Sequence, residues 1–111
     1  MTEDELKRKA MVEQGHTVIA NKRDDGAFIR WASQKELYTY IGRPSIWGNR
    51  FKVDEDGTRD ECCDWYRKYL LDNDDLLAKL GTLRGRVLGC WCYPERCHGN
   101  ELITALAERK G

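Results

Sequence analysis

Residues 86–103 read RVLGCWCYPERCHGNELI. The first seven, Arg86 to Cys92, form a strongly apolar run suited to a central strand buried on both faces of a sheet. Tyr93 to Arg96 (YPER) has the composition of a tight turn. Cys97 or His98 then opens a helix with Leu102, Ile103 and Leu106 inward. Arg109 and Lys110 fall in its last turn, where the helix dipole favours cations. Buried strand, short turn and helix are the building unit of an α/β sheet. In such sheets ligands bind outside the carboxyl ends of the strands.

Working outward, the rest of the chain supplies matching elements. Residues 2–14 read as a short helix, with Thr2 and Glu5 at capping-box spacing and Gly15 as its stop. Its apolar stripe is thin (Leu6, Ala10, Met11), so the helix is expected to be peripheral. HTVIAN (16–21) has the β-branched centre of a strand. Residues 22–26 carry turn chemistry, AFIRWA (27–32) alternates like a second strand, and LYTYI (37–41) reads as a third. Thr58 and Glu61 repeat the capping box and open a helix to about Leu71, and Asn73 or Asp74 caps another. The expectation is a small compact α/β domain over residues 16–111. Its short central sheet holds the buried strand 86–92 between helices, and a peripheral N-terminal helix covers residues 1–15.

Composition narrows the function. The 111 residues carry 19 Lys plus Arg and 19 Asp plus Glu, a net charge of zero. That argues against a protein coating DNA or a membrane surface by excess positive charge. No stretch reaches the roughly 18 apolar residues of a membrane span, and MTEDELKRKA has no apolar leader. The expected setting is the cytoplasm, or the host cytoplasm for a phage protein. The five cysteines are odd in number and two are adjacent (Cys62, Cys63), which does not suit a disulfide framework.

The segment 89–100 holds the densest chemistry. A helix start at Cys97-His98-Gly99 offers unpaired N–H groups and the positive dipole end to an anion. Gly99 there lets a ligand approach the backbone. The same field stabilises a thiolate, making Cys97 the candidate nucleophile and His98, kept neutral, the candidate acid/base. Cys90, Cys92, Cys97 and His98 are also all legitimate zinc ligands. Their spacing is poor for a closed site, since Cys90 and Cys92 on one strand stand about 6–7 Å apart. Cys90 also reads as a small core residue.

A second constellation lies in the glycine-rich loop 42–57. Arg43 can clamp a phosphate or carboxylate, Trp47 can stack on a base or sugar, and Asn49 can read a nucleobase edge. Each has a structural alternative: Trp47 as a core plug, Asn49 as a backbone brace, Arg43 as an ion-pair partner. Arg59, just past the Thr58 cap, opposes its helix dipole and so hints at an anionic neighbour.

YIGRPSIWGNRF (40–51), DGTRDE (56–61) and LGCWCYPERCHGNEL (88–102) together resemble a domain family of unknown function, widespread in bacteriophage and bacterial genomes. The likeness runs from about residue 16 to 107. Arg50 stands where that family usually has proline, and Asn100 where it usually has aspartate; the amide can still hydrogen-bond a ligand. The resemblance implies a small α/β cytoplasmic protein and no particular reaction.

The leading expectation is a domain that binds, and in an enzymatic form processes, a nucleotide, nucleoside or nucleic-acid end. Its site is Arg43, Trp47, Asn49, Arg59, Gly99 and Asn100, facing Cys97 and His98. The alternatives are a structural zinc protein or a phage module that binds or inhibits a host protein without chemistry. All of this requires two segments some fifty positions apart to meet in one pocket.

Overall fold

Three parallel strands carry the fold in the computed structural model, which describes residues 1–109. They are β1 (Val18–Asn21), β2 (Tyr38–Tyr40) and β3 (Val87–Cys90), in the order β1-β3-β2. The last strand in sequence is thus the central one, with Val87 beside both Val18 and Tyr38. Five helices surround them: α1 (Glu3–Glu13), α2 (Gly26–Gln34), α3 (Arg59–Leu71), α4 (Asp74–Lys79) and α5 (His98–Glu108). A single 3-10 turn over Leu80–Leu83 follows α4. Lys110 lies outside the described residues, and Arg109 ends α5.

The period-2 geometry of the strands divides the core in two. Val18, Ala20 and Val87 join Val12, Phe28 and Ala32 on the α1–α2 face. Ile19, Leu88 and Cys90 join Ile41, Tyr66, Leu70, Leu102 and Leu106 on the α3–α5 face. The result is an α/β/α sandwich in which β3 is buried on both sides. The strand is shorter than the apolar run 86–92, because Trp91 is 53% exposed. It stops at Cys90, and Trp91 and Cys92 belong to the loop beyond it.

AFIRWA, expected to be a strand, is the centre of α2. Phe28 and Ala32, four residues apart, share one helical face and are fully buried, which the alternation hid. The topology also demands it. β1 and β2 are parallel to β3, and parallel strands need a crossover rather than a hairpin.

The N-terminal helix has the predicted capping box, with Thr2 and Glu5 exchanging bonds of 2.9 and 3.1 Å. Its inward face is different from the expected one. Leu6, Ala10 and Met11 face solvent, while Glu5, Arg8 and Val12 are buried. Arg8 donates to the Ile19 carbonyl (2.8 Å) and to both Asp25 oxygens (2.9 and 3.2 Å). Asp25 also accepts the Asn21 N–H, and Glu5 accepts the Phe28 N–H. The guanidinium lies over the Tyr93 ring at 4.1 Å. This helix is therefore held by a charged network, which an apolar-stripe reading does not register.

Candidate functional site

All three strands end on the same edge, and a cleft of about 560 Å³ opens there. Arg43, Asn49 and Arg59 line it together with Cys90, Cys92, Cys97 and His98. Tyr40, Trp91 and Arg96 complete its polar and aromatic wall. The segments 40–59 and 90–98 thus meet across a single pocket, the juxtaposition on which the sequence reading depended.

The loop 42–57 is fastened to the body by its own polar groups. The Tyr66 hydroxyl donates to the Trp47 carbonyl at 2.8 Å. The Asn49 amide donates to the Cys62 carbonyl (3.2 Å) and its oxygen accepts the Phe51 N–H (2.9 Å). Trp47 is buried in the core and is absent from the cleft wall, so its stacking role is withdrawn. Asn49 does reach the cleft, but both ends of its amide are committed to backbone. The exposed indole at the cleft mouth is instead Trp91. Its Nε1–H donates to the Tyr40 hydroxyl (3.0 Å), and Lys22 lies over the Tyr40 and Trp91 rings at 4.6 and 5.5 Å. Asn21 fixes this rim by donating to the Tyr93 carbonyl at 2.9 Å.

The cations divide into paired and unpaired. Arg96 is held by Asp60 and Asp64, both at 2.9 Å, and by Glu101 at 3.4 Å. Arg59 pairs with Glu95 (2.9 Å), donates to the Arg96 carbonyl (3.1 Å) and stands beside Cys92. The dipole misfit at Arg59 is thus answered by partners within the chain. Arg43 is exposed and forms no ion pair or side-chain hydrogen bond among the described residues. Its guanidinium is available to an anion.

At the start of α5, Cys97 is the N-cap, and its backbone N–H donates to the Asn100 side-chain oxygen at 2.9 Å. Asn100 therefore caps the helix, a role aspartate fills equally well, and is absent from the cleft wall. Gly99 is buried, and a Cβ there would meet Ile41 Cδ1 at 2.9 Å and Ile19 Cδ1 at 3.2 Å. Its lack of a side chain serves helix-to-sheet packing rather than ligand approach. His98 is buried with Nε2 at 2.7 Å from the Ile41 carbonyl, and its ring meets Tyr66 edge-on. Burial pushes its pKa down, so the neutral ring donates from Nε2 and ties α5 to the end of β2. Only Nδ1 is left for acid/base work.

Cys97 Sγ lies 3.4 Å from Cys90 Sγ, and Cys92 belongs to the same sulfur cluster. The charge in the cluster does not rest on Cys97. Donation to Cys90 and Cys92, with burial added, drives the Cys97 pKa far up. Cys92 is pulled down to about 6, first by the Cys97 thiol and then by the Arg59 guanidinium, against the effect of burial. Cys92 is half-buried and lines the cleft, whereas Cys97 is 3% and Cys90 1% exposed. Cys90 is pulled down as well, first by the Cys97 thiol, to about 7, so of the three thiols Cys92 is distinguished by being both lowered and the most exposed. The alternative zinc set of Cys90, Cys92, Cys97 and His98 is not assembled among the described residues. His98 is turned to Ile41, and among the described residues no three His, Cys, Asp or Glu side chains are disposed to hold a metal ion.

The sequence reading puts Trp91 and Cys92 in an apolar strand, with Cys92 otherwise only a zinc-ligand alternative. The signal that could have separated them is the proline and acid of Tyr93-Pro94-Glu95, which end the strand early. No helix among the described residues is long and apolar enough to cross a membrane.

Comparison with known proteins gives viral relatives. An uncharacterized protein of Acanthamoeba polyphaga mimivirus, R718, is 33% identical over 82 residues, covering 58% of this chain and 62% of its own length. An uncharacterized 12.4 kDa protein from the nrdA-td intergenic region of Enterobacteria phage T4 is 33% identical over 73 residues, covering 62% of this chain and 66% of its own. The chain thus spans just under two thirds of the length of these curated relatives. No solved structure matches. Residues 20–108, which hold β2, β3, the end of β1, the cleft and its sulfur cluster, match the domain of unknown function DUF4326, and the chain belongs to that family.

Proposed function

We propose that the cleft binds a nucleotide or nucleoside phosphate, or the phosphorylated end of a nucleic acid. The observation that carries this is one mouth at the carboxyl edge of a parallel sheet shared by an unpaired guanidinium, Arg43, and an exposed indole, Trp91. A guanidinium suits a phosphate in bidentate fashion, and an indole offers a π face to any base. The buried Trp47 beside this cleft favours a ligand site over a protein-docking loop.

The test is calorimetric titration with a panel of mononucleotides and short 5′-phosphorylated oligonucleotides at low salt. Arg43→Ala removes charge-assisted bonds worth about 1.5–3 kcal/mol and weakens binding roughly 10- to 150-fold. Trp91→Ala removes stacking worth about 1–3 kcal/mol. Binding unchanged in both variants, or no binding to any member of the panel, refutes the reading.

A further inference from the structure

The sulfur cluster has a contact that phosphate binding does not require. Cys90 is the last residue of the central strand, and Cys97 is the N-cap of α5. Their side chains meet beneath the loop 91–96, and the Cys97 thiol donates to Cys90 Sγ at 3.4 Å. A disulfide bond is about 2.0 Å long, so closure asks the sulfurs to approach by roughly 1.4 Å, which small side-chain rotations supply. Both residues belong to the cleft wall, although Cys90 is 1% and Cys97 3% exposed. That setting admits a small oxidant and turns away a bulky one such as a peptide disulfide. Hydrogen peroxide, little larger than water, fits. Cys62 and Cys63 line the same cleft from α3, but burial pushes both thiols up, Cys63 to about 11.

We propose that Cys90 and Cys97 are an oxidative modification site, a thiol pair that hydrogen peroxide converts to a disulfide across the base of the loop 91–96. The Cys97 donation, acting against burial, brings the Cys90 pKa down to about 7, so thiolate is present at neutral pH. In the first step the Cys90 thiolate attacks one peroxide oxygen. The O–O bond breaks, Cys90 becomes a sulfenic acid and hydroxide leaves. In the second step that hydroxide takes the Cys97 proton to give water, and Cys97 Sγ attacks Cys90 Sγ. The S–O bond breaks, the S–S bond forms and a second hydroxide leaves. The sulfur pair gives up two electrons, and the peroxide is reduced to water and hydroxide. The new bond joins residues seven positions apart and staples the ends of the loop that carries Trp91, Cys92 and Arg96 on the cleft wall. A thiol reductant reverses it by exchange. This chemistry is independent of which anion the cleft takes.

The experiment treats the reduced full chain with dilute hydrogen peroxide, quenches with acid, alkylates the remaining thiols and maps the products by tandem mass spectrometry. The expected wild-type product is a Cys90–Cys97 cross-link with Cys92 still open to alkylation, and dithiothreitol reverses it. Cys92→Ser, a change at a half-buried loop position, forms the same bond at a rate within about twofold of wild type. Cys97→Ala stops at a sulfenic acid on Cys90, which dimedone traps. Should Cys97→Ala fail to fold, wild type and Cys92→Ser decide the matter alone. Amide hydrogen exchange over residues 91–96 slows by about threefold or more in the oxidised protein, because the loop ends no longer part. A cross-link that includes Cys92, Cys62 or Cys63 overturns the proposal. So does a wild-type protein that gains oxygen without any cross-link, a bond that forms about tenfold more slowly in Cys92→Ser, or loop exchange that oxidation leaves unchanged. A cleft that binds no nucleotide alters none of these outcomes.

Discussion

Replacing Arg8 with methionine tests whether α1 is held by its charges. The side chain is 5% exposed and donates to the Ile19 carbonyl and to both oxygens of Asp25. Methionine keeps most of the stem packing against Phe28 and Tyr93 but removes every donor. Asp25 keeps one partner, the Asn21 N–H at 2.7 Å, and loses its counter-charge. Breaking a buried pair by removing one member costs about 3–5 kcal/mol. Unfolding entropy near roughly 2 cal/mol/K per residue gives about 0.2 kcal/mol/K for a chain of 111 residues, so Tm falls by roughly 15–20 °C. The assay is a thermal melt followed by circular dichroism, with urea unfolding as a second measure. Arg8→Met with Asp25→Asn recovers part of the loss, because the amide still accepts the Asn21 N–H and leaves no orphan charge. A single-variant drop of under about 3 °C, or a double variant as unstable as the two losses added, refutes the reasoning.

Other outcomes follow from the same structure. Alkylation of Cys92 by iodoacetamide is half-maximal near pH 6 and level above pH 7, since its thiolate is held by the Cys97 thiol and Arg59; removing the guanidinium with Arg59→Met moves that midpoint up by about 1–3 units, and an unmoved profile removes Arg59 from the account. Gly89→Ala drives a Cβ into the Tyr38 hydroxyl and ring, so urea titration shows a loss of about 1–3 kcal/mol or more. The buried Tyr38 hydroxyl has no hydrogen-bond partner among the described residues; Tyr38→Phe is therefore neutral or stabilising in the same assay, and a clear destabilisation shows that the hydroxyl is satisfied in solution.

The parts of this fold that were legible in the sequence are those set by neighbours along the chain. Thr2, Thr58 and Asn73 cap their helices through bonds to the residue three positions on. The strand–turn–helix run 87–108 is likewise local, and it located the cleft edge. What was illegible depended on distant partners. Ala27 to Ala32 alternates like a strand, yet its helix is imposed by the need to cross between parallel strands. Glu5 and Arg8 looked like surface charges because their partners, Phe28 and Asp25, lie 23 and 17 residues away. Within the site, helix-dipole reasoning chose Cys97 as the thiolate. In the structure the Cys97 thiol, and then the Arg59 guanidinium from another helix, lower the Cys92 thiol, while Cys97 itself is buried against Cys90 and pushed up.

The strand order carries a consequence for synthesis. β1 and β2 are not neighbours in the sheet; each pairs with β3, which begins at Val87. When Tyr40 has left the ribosome, two strands exist and neither has a ladder to join. Close to fifty further residues must emerge before the middle strand arrives and both ladders form together. Such non-local pairing delays closure and leaves strand edges open in the nascent chain. A polypeptide halted before Val87 carries helices α1 to α4 but has no sheet, no cleft and no α5.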